Sequence, residues 1–371
     1  MSVKRIIGFI ICFAVLFGTL TASAVGTSAK AAVLINADTG EIIYSHNCNT
    51  RMPMASTTKI MTALLLCEYG NLEKQITVTK EMVTVEGSSM GLLPDDKVTL
   101  HDLLYGMMLA SGNDAANTTA YTVGGSVENF VRLMNDRARQ LGLKNTHFAT
   151  PSGLDDDEHY TTAYELSLIA REALKNSDFA KAVSTKTATL CYGNPPYTRH
   201  LTNHNRLLKS YDDVIGVKTG FTKKSGRCLV SAAERDGKRV IAVTLHDPND
   251  WADHRALLDY GLDRVKSVEI SPSAENLSVD VIAGKKKKAD FNIDKERFNV
   301  SNDGALGYEV YLSKFVYAPI EKGEVLGRVC FYNGDNLIKT EQITALSDIK
   351  AEKQDSISSF LDCFKLIFSK I

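Results

Sequence analysis

The 371-residue chain has almost no net charge, with 43 lysines and arginines against 44 aspartates and glutamates. Proteins that bind nucleic acid do so through a strong positive field, so this balance argues against such a partner. One basic block stands out at residues 285–288. Because it follows Gly284 among strand-like segments, a solvated hairpin turn is the better interpretation. The sequence therefore predicts no nucleic-acid partner.

The sequence also lacks closely paired cysteines. Seven cysteines are present but none belongs to a C-x-x-C pair, which argues against a zinc ribbon or a thioredoxin-like redox motif. Their scattered spacing leaves the disulfide state open. Internal repeats and low-complexity stretches are lacking too. A content of 44% hydrophobic and 23% charged residues is typical of a folded protein with room for two domains.

The longest apolar run lies at the start of the chain. Lys4 and Arg5 precede this run at residues 6–20, and Ala22-Ser23-Ala24 follows as a small-residue cleavage site. We interpret residues 1–24 as a secretory signal peptide, which predicts an exported protein. An uncleaved membrane anchor is the alternative, although the run is short for a membrane span.

Residues 25–264 are predicted to form an α/β (α+β) domain. Two apolar runs flank Asp38-Thr39-Gly40 as in a hairpin. Strands return at residues 212–220 and 227–247, where Asp236-Gly237 marks a second hairpin. We expect these strands to form one antiparallel sheet with helices on its faces.

The helices of this domain are predicted from their apolar periodicity and their start signals. Residues 56–68 are apolar on nearly all sides, which indicates a helix buried in the domain. Capping-box pairs, Thr99 with Asp102 and Thr162 with Glu165, begin two further helices. Another helix begins at Ser126 and ends at Gly142.

Beyond residue 264 the helical pattern stops. Short apolar runs separated by Gly, Pro and Asn turns predict a small all-β domain at residues 265–346. From about Ile349 the pattern is helical again and has one apolar stripe that includes three phenylalanines. We predict that residues 347–371 form an amphipathic helix that binds a membrane surface. A helix packed on its own β domain is the alternative.

Three short motifs are the candidates for chemistry. Ser56-Thr57-Thr58-Lys59 opens the buried helix, Ser111-Gly112-Asn113 lies between two helices, and Lys218-Thr219-Gly220 ends a strand. The first motif alone is a weak signal, because a serine at a helix start can be a cap, and Ser347 and Lys350 have the same spacing. The three motifs in this order, each on a suitable element, favour a serine nucleophile.

These motifs resemble those of the serine penicillin-recognising enzymes. The segments GSSMGLLPDDKVTLHDLLYGMMLASGNDAAN, LGLKNTHFATPSGLDDDEHYTTAYELSLIAREAL and GVKTGFT extend the resemblance to the low-molecular-mass D-alanyl-D-alanine carboxypeptidases of peptidase family S11. The resemblance implies a serine β-lactamase/transpeptidase-like fold that needs no cofactor and no metal. It also implies removal of the terminal D-alanine from peptidoglycan pentapeptide stems, acylation by β-lactam antibiotics, and a location at the cell wall or the outer face of the cytoplasmic membrane.

The resemblance also implies roles for individual residues. Ser56 would be the nucleophile and Lys59 its base, with the pKa of Lys59 lowered by burial and by the cation of Lys218. Ser111 and Asn113 would relay a proton and orient Lys59 and the substrate. The other implied roles are the oxyanion donors, the backbone N–H groups of Ser56 and Phe221, and the residues of the Lys218-Thr219-Gly220 motif that bind the terminal carboxylate.

Three alternatives remain open from the residues. A β-lactamase needs a carboxylate that activates water, and Glu172 with Asn176 has the outer spacing of such a loop, although it falls within a helical pattern. A metallopeptidase would need a cluster such as His246, Asp247, Asp253 and His254. A non-catalytic cell-wall or penicillin-binding protein could keep the fold without turnover, although all three motifs are intact.

The chain departs from many Gram-negative relatives at two positions. Where they carry an arginine in the stretch NHNRLL, this chain has His204, and a second arginine is absent from the stretch HDPNDW. We hypothesise that Arg206 substitutes for them at the substrate carboxylate. Ser152 stands where some relatives have histidine, and we assign its side chain no role.

Overall fold

The structure, a computed structural model, describes residues 25–275, 277–301 and 306–352. Its centre is a five-stranded sheet with the order β2-β1-β9-β8-β7, in which every neighbouring pair is antiparallel. Both predicted hairpins are confirmed, and β7 lies at an edge. The strands are β1 Ala31–Asn36, β2 Ile42–His46, β7 Val214–Thr222, β8 Gly226–Arg235 and β9 Lys238–Leu245.

Helices cover both faces of this sheet. Alternate residues of β1 point to opposite sides, so Val33 and Ile35 belong to one apolar core and Leu34 to the other. The helices are α1 Lys59–Tyr69, α2 Lys80–Val83, α3 Leu100–Leu109, α4 Asn113–Gly124, α5 Val127–Gln140, α6 Ala163–Ala173, α7 Ser177–Ser184, α8 Leu207–Ser210 and α9 Asp250–Leu262. On the Leu34 side, α9 packs Leu257 and Leu258 against the sheet. The predicted fold, an antiparallel sheet flanked by helices, is confirmed.

The predicted helix starts are confirmed with one difference. The Thr99 hydroxyl accepts the backbone N–H of Asp102, whose carboxylate accepts the N–H of Thr99, so this capping box is complete. The Thr162 hydroxyl likewise accepts the N–H of Glu165. The carboxylate of Glu165, however, accepts the backbone N–H groups of Lys144 and Asn145. The second half of the predicted capping box is therefore wrong, because two orphan donors of a neighbouring loop bind this side chain.

Two small two-stranded sheets lie beside the central sheet and were not predicted. One pairs β3 Gln75–Thr77 with β4 Lys97–Thr99, and the other is a hairpin that pairs β5 Thr187–Gly193 with β6 Pro196–Thr202. This hairpin contacts the loop before β4, where the Tyr192 hydroxyl donates to the carbonyl of Met90 at 2.7 Å. This hairpin therefore supports a wall of the site described below.

After α9 the described residues form strands and turns. The strands are β10 Lys266–Ile270, β11 Val279–Ile282, β12 Lys288–Ala289, β13 Glu296–Val300, β14 Leu306–Leu312, β15 Phe315–Tyr317, β16 Val325–Asn333 and β17 Asn336–Thr344. They enclose two small apolar cores. An all-β part follows the first domain, as predicted from the sequence.

The predicted terminal elements lie largely outside the described residues. These include the signal peptide at residues 1–24 and the apolar stripe of the C-terminal helix. Residues 347–352 are described and are not helical, since Ile349 is buried and bridges to Ile320, and Ala351 bridges to Gly284. The prediction that the anchor helix begins at residue 347 is wrong, because these residues complete the β core. Within the described ranges, no helix is long and apolar enough to cross a membrane.

Candidate active site

The first motif forms a tight turn ahead of α1. Residues Ala55–Thr58 make one turn of 3-10 helix, in which the hydroxyls of Thr57 and Thr58 donate to the carbonyls of Met54 and Ala55 at 2.6 and 2.8 Å. Ser56 makes no capping bond and faces an open cleft of about 720 Å³. Of the two interpretations of Ser56, helix cap and nucleophile, the geometry favours the second.

Lys59 is buried beneath Ser56 and contacts three oxygens. Its Nζ lies 3.0 Å from Oγ of Ser56, 2.7 Å from Oδ1 of Asn113 and 2.8 Å from the carbonyl of Ser152. The last two oxygens can only accept. A neutral amine has two N–H groups and one lone pair, so donation to both acceptors leaves the lone pair for the Ser56 hydroxyl. This arrangement directs the lone pair of a neutral Lys59 at the Ser56 hydroxyl.

The electrostatic surroundings favour this neutral amine. Burial is the largest cause that lowers the pKa of Lys59 well below its usual value, and the cation of Lys218 lowers it further. The carboxylate of Asp114 acts in the opposite direction. Lys218 is itself 1% exposed, and burial lowers its pKa to about 7.

The second motif lies on the turn between α3 and α4. Ser111 lines the cleft and has a φ of 59°, a left-handed conformation that is uncommon for a residue other than glycine. Asn113 begins α4, and its Nδ2 donates to the carbonyl of Glu86 at 2.6 Å. This bond fixes the side-chain amide with Oδ1 towards Lys59. A Cβ on Gly87 would lie 2.7 Å from the same Nδ2, so the neighbouring position has to be a glycine.

Asp114, the residue after this motif, organises the adjacent loop. Its Oδ1 accepts the backbone N–H of Met90, and its Oδ2 accepts those of Gly91 and Leu92 and the hydroxyl of Ser89. Sequence reasoning missed this role. An aspartate in the first turn of α4 was visible, but its partners are 22 to 25 residues away.

The third motif places β7 against the nucleophile turn. A Cβ on Gly220 would lie 3.1 Å from the backbone nitrogen of Ser56, so the glycine permits the two backbones to approach. Thr219 and Gly220 line the cleft, and Phe221 at its rim is 66% exposed. Lys218 lies inward and donates to the carbonyl of Thr219 at 3.0 Å. Ser56, Ser111, Thr219, Gly220 and Phe221 therefore share one cleft, with Lys59, Asn113 and Lys218 next to it.

The far wall of the cleft carries two arginines beside one tryptophan. Arg206, the hypothesised substitute, lines it, and so does Arg227 on β8, which was not predicted. Their guanidinium groups lie 6.0 and 5.5 Å from the Trp251 ring centroid. Arg227 forms a 2.6 Å ion pair with the buried Asp250. The side chain of His204 also lines this wall.

The residues that supported other enzyme classes are engaged elsewhere. Glu172 on α6 forms ion pairs with Arg137 and Lys175, at 2.9 and 2.8 Å, as expected for a helical surface residue. His254 bonds to the Thr244 hydroxyl at 2.9 Å, and the hydroxyl of Ser28 donates to Asp247. In the part of the chain that the structure describes, no cluster of three or more histidine, cysteine or acidic residues could hold a metal ion.

Comparison with known proteins agrees with this geometry. The family model for D-alanyl-D-alanine carboxypeptidases (Peptidase_S11) matches residues 19–249. The chain belongs to this family. The carboxypeptidase is 33% identical to the D-alanyl-D-alanine carboxypeptidase DacF of Bacillus subtilis over 335 residues, which are 87% of this chain and 86% of DacF.

Two solved structures show the extent of the shared fold. The Streptomyces K15 DD-transpeptidase aligns with a TM-score of 0.62 and 36% identity, covering 64% of this chain and 98% of that one. Penicillin binding protein 5 from Haemophilus influenzae aligns with a TM-score of 0.65 and 26% identity, covering 88% and 98%. The match to the Haemophilus protein therefore covers more of this chain, 88% against the 64% covered by the Streptomyces enzyme.

Proposed function

We propose that this serine-type D-Ala-D-Ala carboxypeptidase works through an acyl-enzyme at Ser56. The observation that carries the proposal is the Lys59 amine, held by the oxygens of Asn113 and Ser152 with its third position 3.0 Å from Oγ of Ser56. A hydroxyl becomes a nucleophile when an adjacent base takes its proton. Lys59 is the base, and its burial keeps it neutral enough to act.

The reaction takes place in two stages. Lys59 takes the proton of Ser56, and Oγ attacks the carbonyl carbon of the penultimate D-alanine. The backbone N–H groups of Ser56 and Phe221 stabilise the oxyanion. The C–N bond then breaks, and the proton passes from Lys59, with Ser111 as relay, to the amine of the departing D-alanine. In the second stage a water molecule attacks the ester and gives a proton to Lys59, which passes it to Oγ of Ser56 as the shortened stem departs.

The substrate class follows from the cleft. A peptidoglycan stem pentapeptide ends in a free carboxylate, which Lys218 and Thr219 of β7 bind. A β-lactam antibiotic presents a carboxylate beside a strained amide. It acylates Ser56 in the same way, but its leaving amine stays tethered. We assign the mature enzyme to the outside of the cell, on the outer face of the cytoplasmic membrane, where its substrate lies.

The decisive experiment measures intact mass after incubation with penicillin, together with release of D-alanine from a pentapeptide. The wild-type protein gains one penicillin mass, mapped to Ser56. Ser56→Ala loses both the adduct and turnover, and Lys59→Ala loses turnover by a factor on the order of 10⁶, as found for nucleophile and base in a comparable serine hydrolase. Normal turnover in Ser56→Ala excludes this mechanism. An adduct without turnover in the wild type indicates a binding protein.

A further inference from the structure

A buried histidine lies behind the nucleophile turn and has no part in the chemistry above. His159, 3% exposed, belongs to the segment between α5 and α6. Its Nε2 lies 2.7 Å from the hydroxyl of Thr58, the residue directly before Lys59 in the chain. On the other side of the ring, Nδ1 lies 3.0 and 3.3 Å from the backbone nitrogens of Ala149 and Thr150.

These contacts allow one protonation state of the ring. The backbone N–H groups of Ala149 and Thr150 can only donate, so Nδ1 has to be an unprotonated acceptor. The hydroxyl proton of Thr58 is donated to the carbonyl of Ala55 at 2.8 Å, so the hydroxyl oxygen accepts from Nε2. His159 is therefore a neutral imidazole with its proton on Nε2. An imidazolium would direct a second N–H group at two backbone donors.

Burial also favours the neutral form of the ring. Burial is the largest cause that lowers the pKa of His159, to about 4, and the charges of His147 and Lys59 lower it further. Asp156 acts in the opposite direction. The ring is thus neutral near neutral pH.

The segment that His159 holds also supplies an oxygen to Lys59. Residues 149–153 are fixed at one end by His159 and at the other by α1, where the Thr62 hydroxyl donates to the carbonyl of Pro151 at 2.6 Å and Lys59 to that of Ser152 at 2.8 Å. The ring therefore joins the turn that carries Ser56 to the segment that provides an acceptor of Lys59. Through these two contacts it sets the position of Lys59 between Ser56 and Ser152.

We propose that His159 is a positioning residue, a neutral donor and acceptor that fixes the Ser152 carbonyl relative to the nucleophile turn and so directs the Lys59 lone pair at Ser56. The inference rests on the proposed roles of Ser56 and Lys59. It assigns His159 no contact with substrate. A displacement of about 1 Å in a catalytic group can lower a rate a hundredfold, so this support is expected to affect acylation rather than binding.

The first test observes the ring directly. Nitrogen-15 NMR of histidine-labelled wild-type protein is expected to show His159 with a proton on Nε2 and none on Nδ1 throughout pH 6 to 9. A proton on Nδ1 at neutral pH overturns the proposal. This result does not depend on which serine is acylated, so it is separable from a failure of the Ser56 mechanism, which would appear as an adduct in Ser56→Ala.

The second test separates acylation from binding. His159→Leu is expected to lower the rate constant of acylation by penicillin by about ten- to a hundredfold while the dissociation constant of the first complex changes less than about twofold. His159→Gln, which retains a donor near Nε2, and His159→Asn, which retains an acceptor near Nδ1, are expected to recover part of the rate. The matched control is His147→Asn, because His147 lies in the same region and bonds to the carbonyl of Glu158.

The measurements are normalised to folded protein. Rates are expressed per molecule titrated with penicillin, so a variant that folds in lower yield is not scored as slow. A wild-type rate in folded His159→Leu overturns the proposal. If His159→Leu does not fold, the comparison of His159→Gln and His159→Asn with His147→Asn decides: equal rates in all three overturn it, and slower acylation at unchanged affinity in the His159 variants supports it.

Discussion

At the scale of single residues, the charge of Arg206 is the simplest feature of the cleft to test. Arg227 is compensated by the buried Asp250 at 2.6 Å, whereas Arg206 is exposed and has no ion pair among the described residues. We therefore expect Arg206→Ala to raise KM for a peptide with a free terminal carboxylate several-fold, as for the loss of one exposed charge. The inhibition constant of Arg206→Ala for the corresponding peptide amide should not change. Arg206→Lys, which keeps the positive charge, should keep KM near the wild-type value. An unchanged KM would leave Arg227 as the candidate.

Gly153 provides a second test at this scale, because its backbone touches the nucleophile turn. It has a φ of +87°, and a Cβ would lie 1.9 Å from the carbonyl oxygen of Ala55. Gly142 has a φ of +75° with nothing within 4 Å of the same position, which makes it a matched control. Both alanine variants bear the left-handed strain of about 1 kcal/mol, and Gly153→Ala adds a steric clash of about 1–3 kcal/mol. Urea unfolding midpoints measure the stability of both variants. Equal losses of stability would show that the nucleophile turn moves away from the added methyl group at no cost.

The sequence predicted the candidate site residues that belong to short motifs. Ser56 and Lys59 are three residues apart, and Lys218 to Gly220 are consecutive, so the spacing itself carries the information. The Ser152 carbonyl contacts Lys59 across 93 residues, and His159 contacts Thr58 across 101. A backbone oxygen has no signature in the sequence. The sequence around a buried histidine with polar neighbours does not differ from that around an exposed one. Neither the Ser152 carbonyl nor His159 could therefore be predicted.

At the scale of secondary-structure elements, periodicity explains what was predicted and what was missed. The buried strands and helices of the first domain have strong apolar patterns or capping signals, so both hairpins and the helix starts at Thr99, Ser126 and Thr162 were located correctly. The helix predicted from Ser56 begins as an α-helix only at Lys59, after one 3-10 turn. The β5 to β6 hairpin has mostly exposed side chains, so it has little apolar alternation to recognise. It matters nevertheless, because Arg199 and Tyr192 both donate to the carbonyl of Met90 in the loop that Asp114 also binds.

Asp114, which binds the 89–92 loop from the start of α4, leads to a prediction about the pH dependence of acylation. The Asp114 carboxylate favours the charged form of Lys59, so Asp114→Asn should lower the pKa of Lys59 further. Acylation requires the neutral amine. The acid limb of the pH profile of kcat/KM should therefore move to lower pH. The same change leaves donors of the 89–92 loop without acceptors, which should cost about 1–3 kcal/mol per group and lower the maximum rate.

The acid limb is measured from the pH dependence of kcat/KM, which reports the free enzyme. Asp102→Asn is the matched control, because Asp102 is also a buried carboxylate at a helix start but is not among the charges that shift the pKa of Lys59. Its acid limb should stay at the wild-type position while its stability falls. A limb that moves to higher pH in Asp114→Asn would contradict the assignment of Lys59 as the base.

At the scale of the whole molecule, the pattern of short apolar runs and turns predicted that an all-β part follows the α/β domain, but not how the two parts meet. The junction is polar: the Asn36 side chain donates to the carbonyl of Asn299 at 2.9 Å, and Asn299 donates to Asp38 at 2.8 Å. Ser301 and Asn333 both donate to Glu41. Such contacts have no apolar periodicity, so the sequence does not reveal them, yet they fix the turn after β1 against the β strands.

The last prediction concerns what holds the enzyme near its substrate. The sequence after residue 352 carries the apolar stripe with its three phenylalanines, and we propose that this segment binds the membrane surface. Burial of such a face contributes several kcal/mol at about 25 cal/mol per Å². The structure shows where to cut, because Ile349 is buried, Ala351 bridges to Gly284, and Glu352 forms a 2.8 Å ion pair with Lys287. A chain that ends at residue 352 should therefore fold normally.

We expect a protein of residues 25–371 to sediment with vesicles that contain anionic lipid, and a protein of residues 25–352 to stay in the supernatant. Both should be acylated by penicillin at the same rate, since Ser56 lies in the other part of the molecule. A chain that ends at residue 346 is the informative control: it removes Ile349 from the β core and should unfold at lower urea concentration, although it too lacks the membrane segment. If residues 25–352 still bind vesicles, or residues 25–371 do not, the segment after residue 352 is not the anchor.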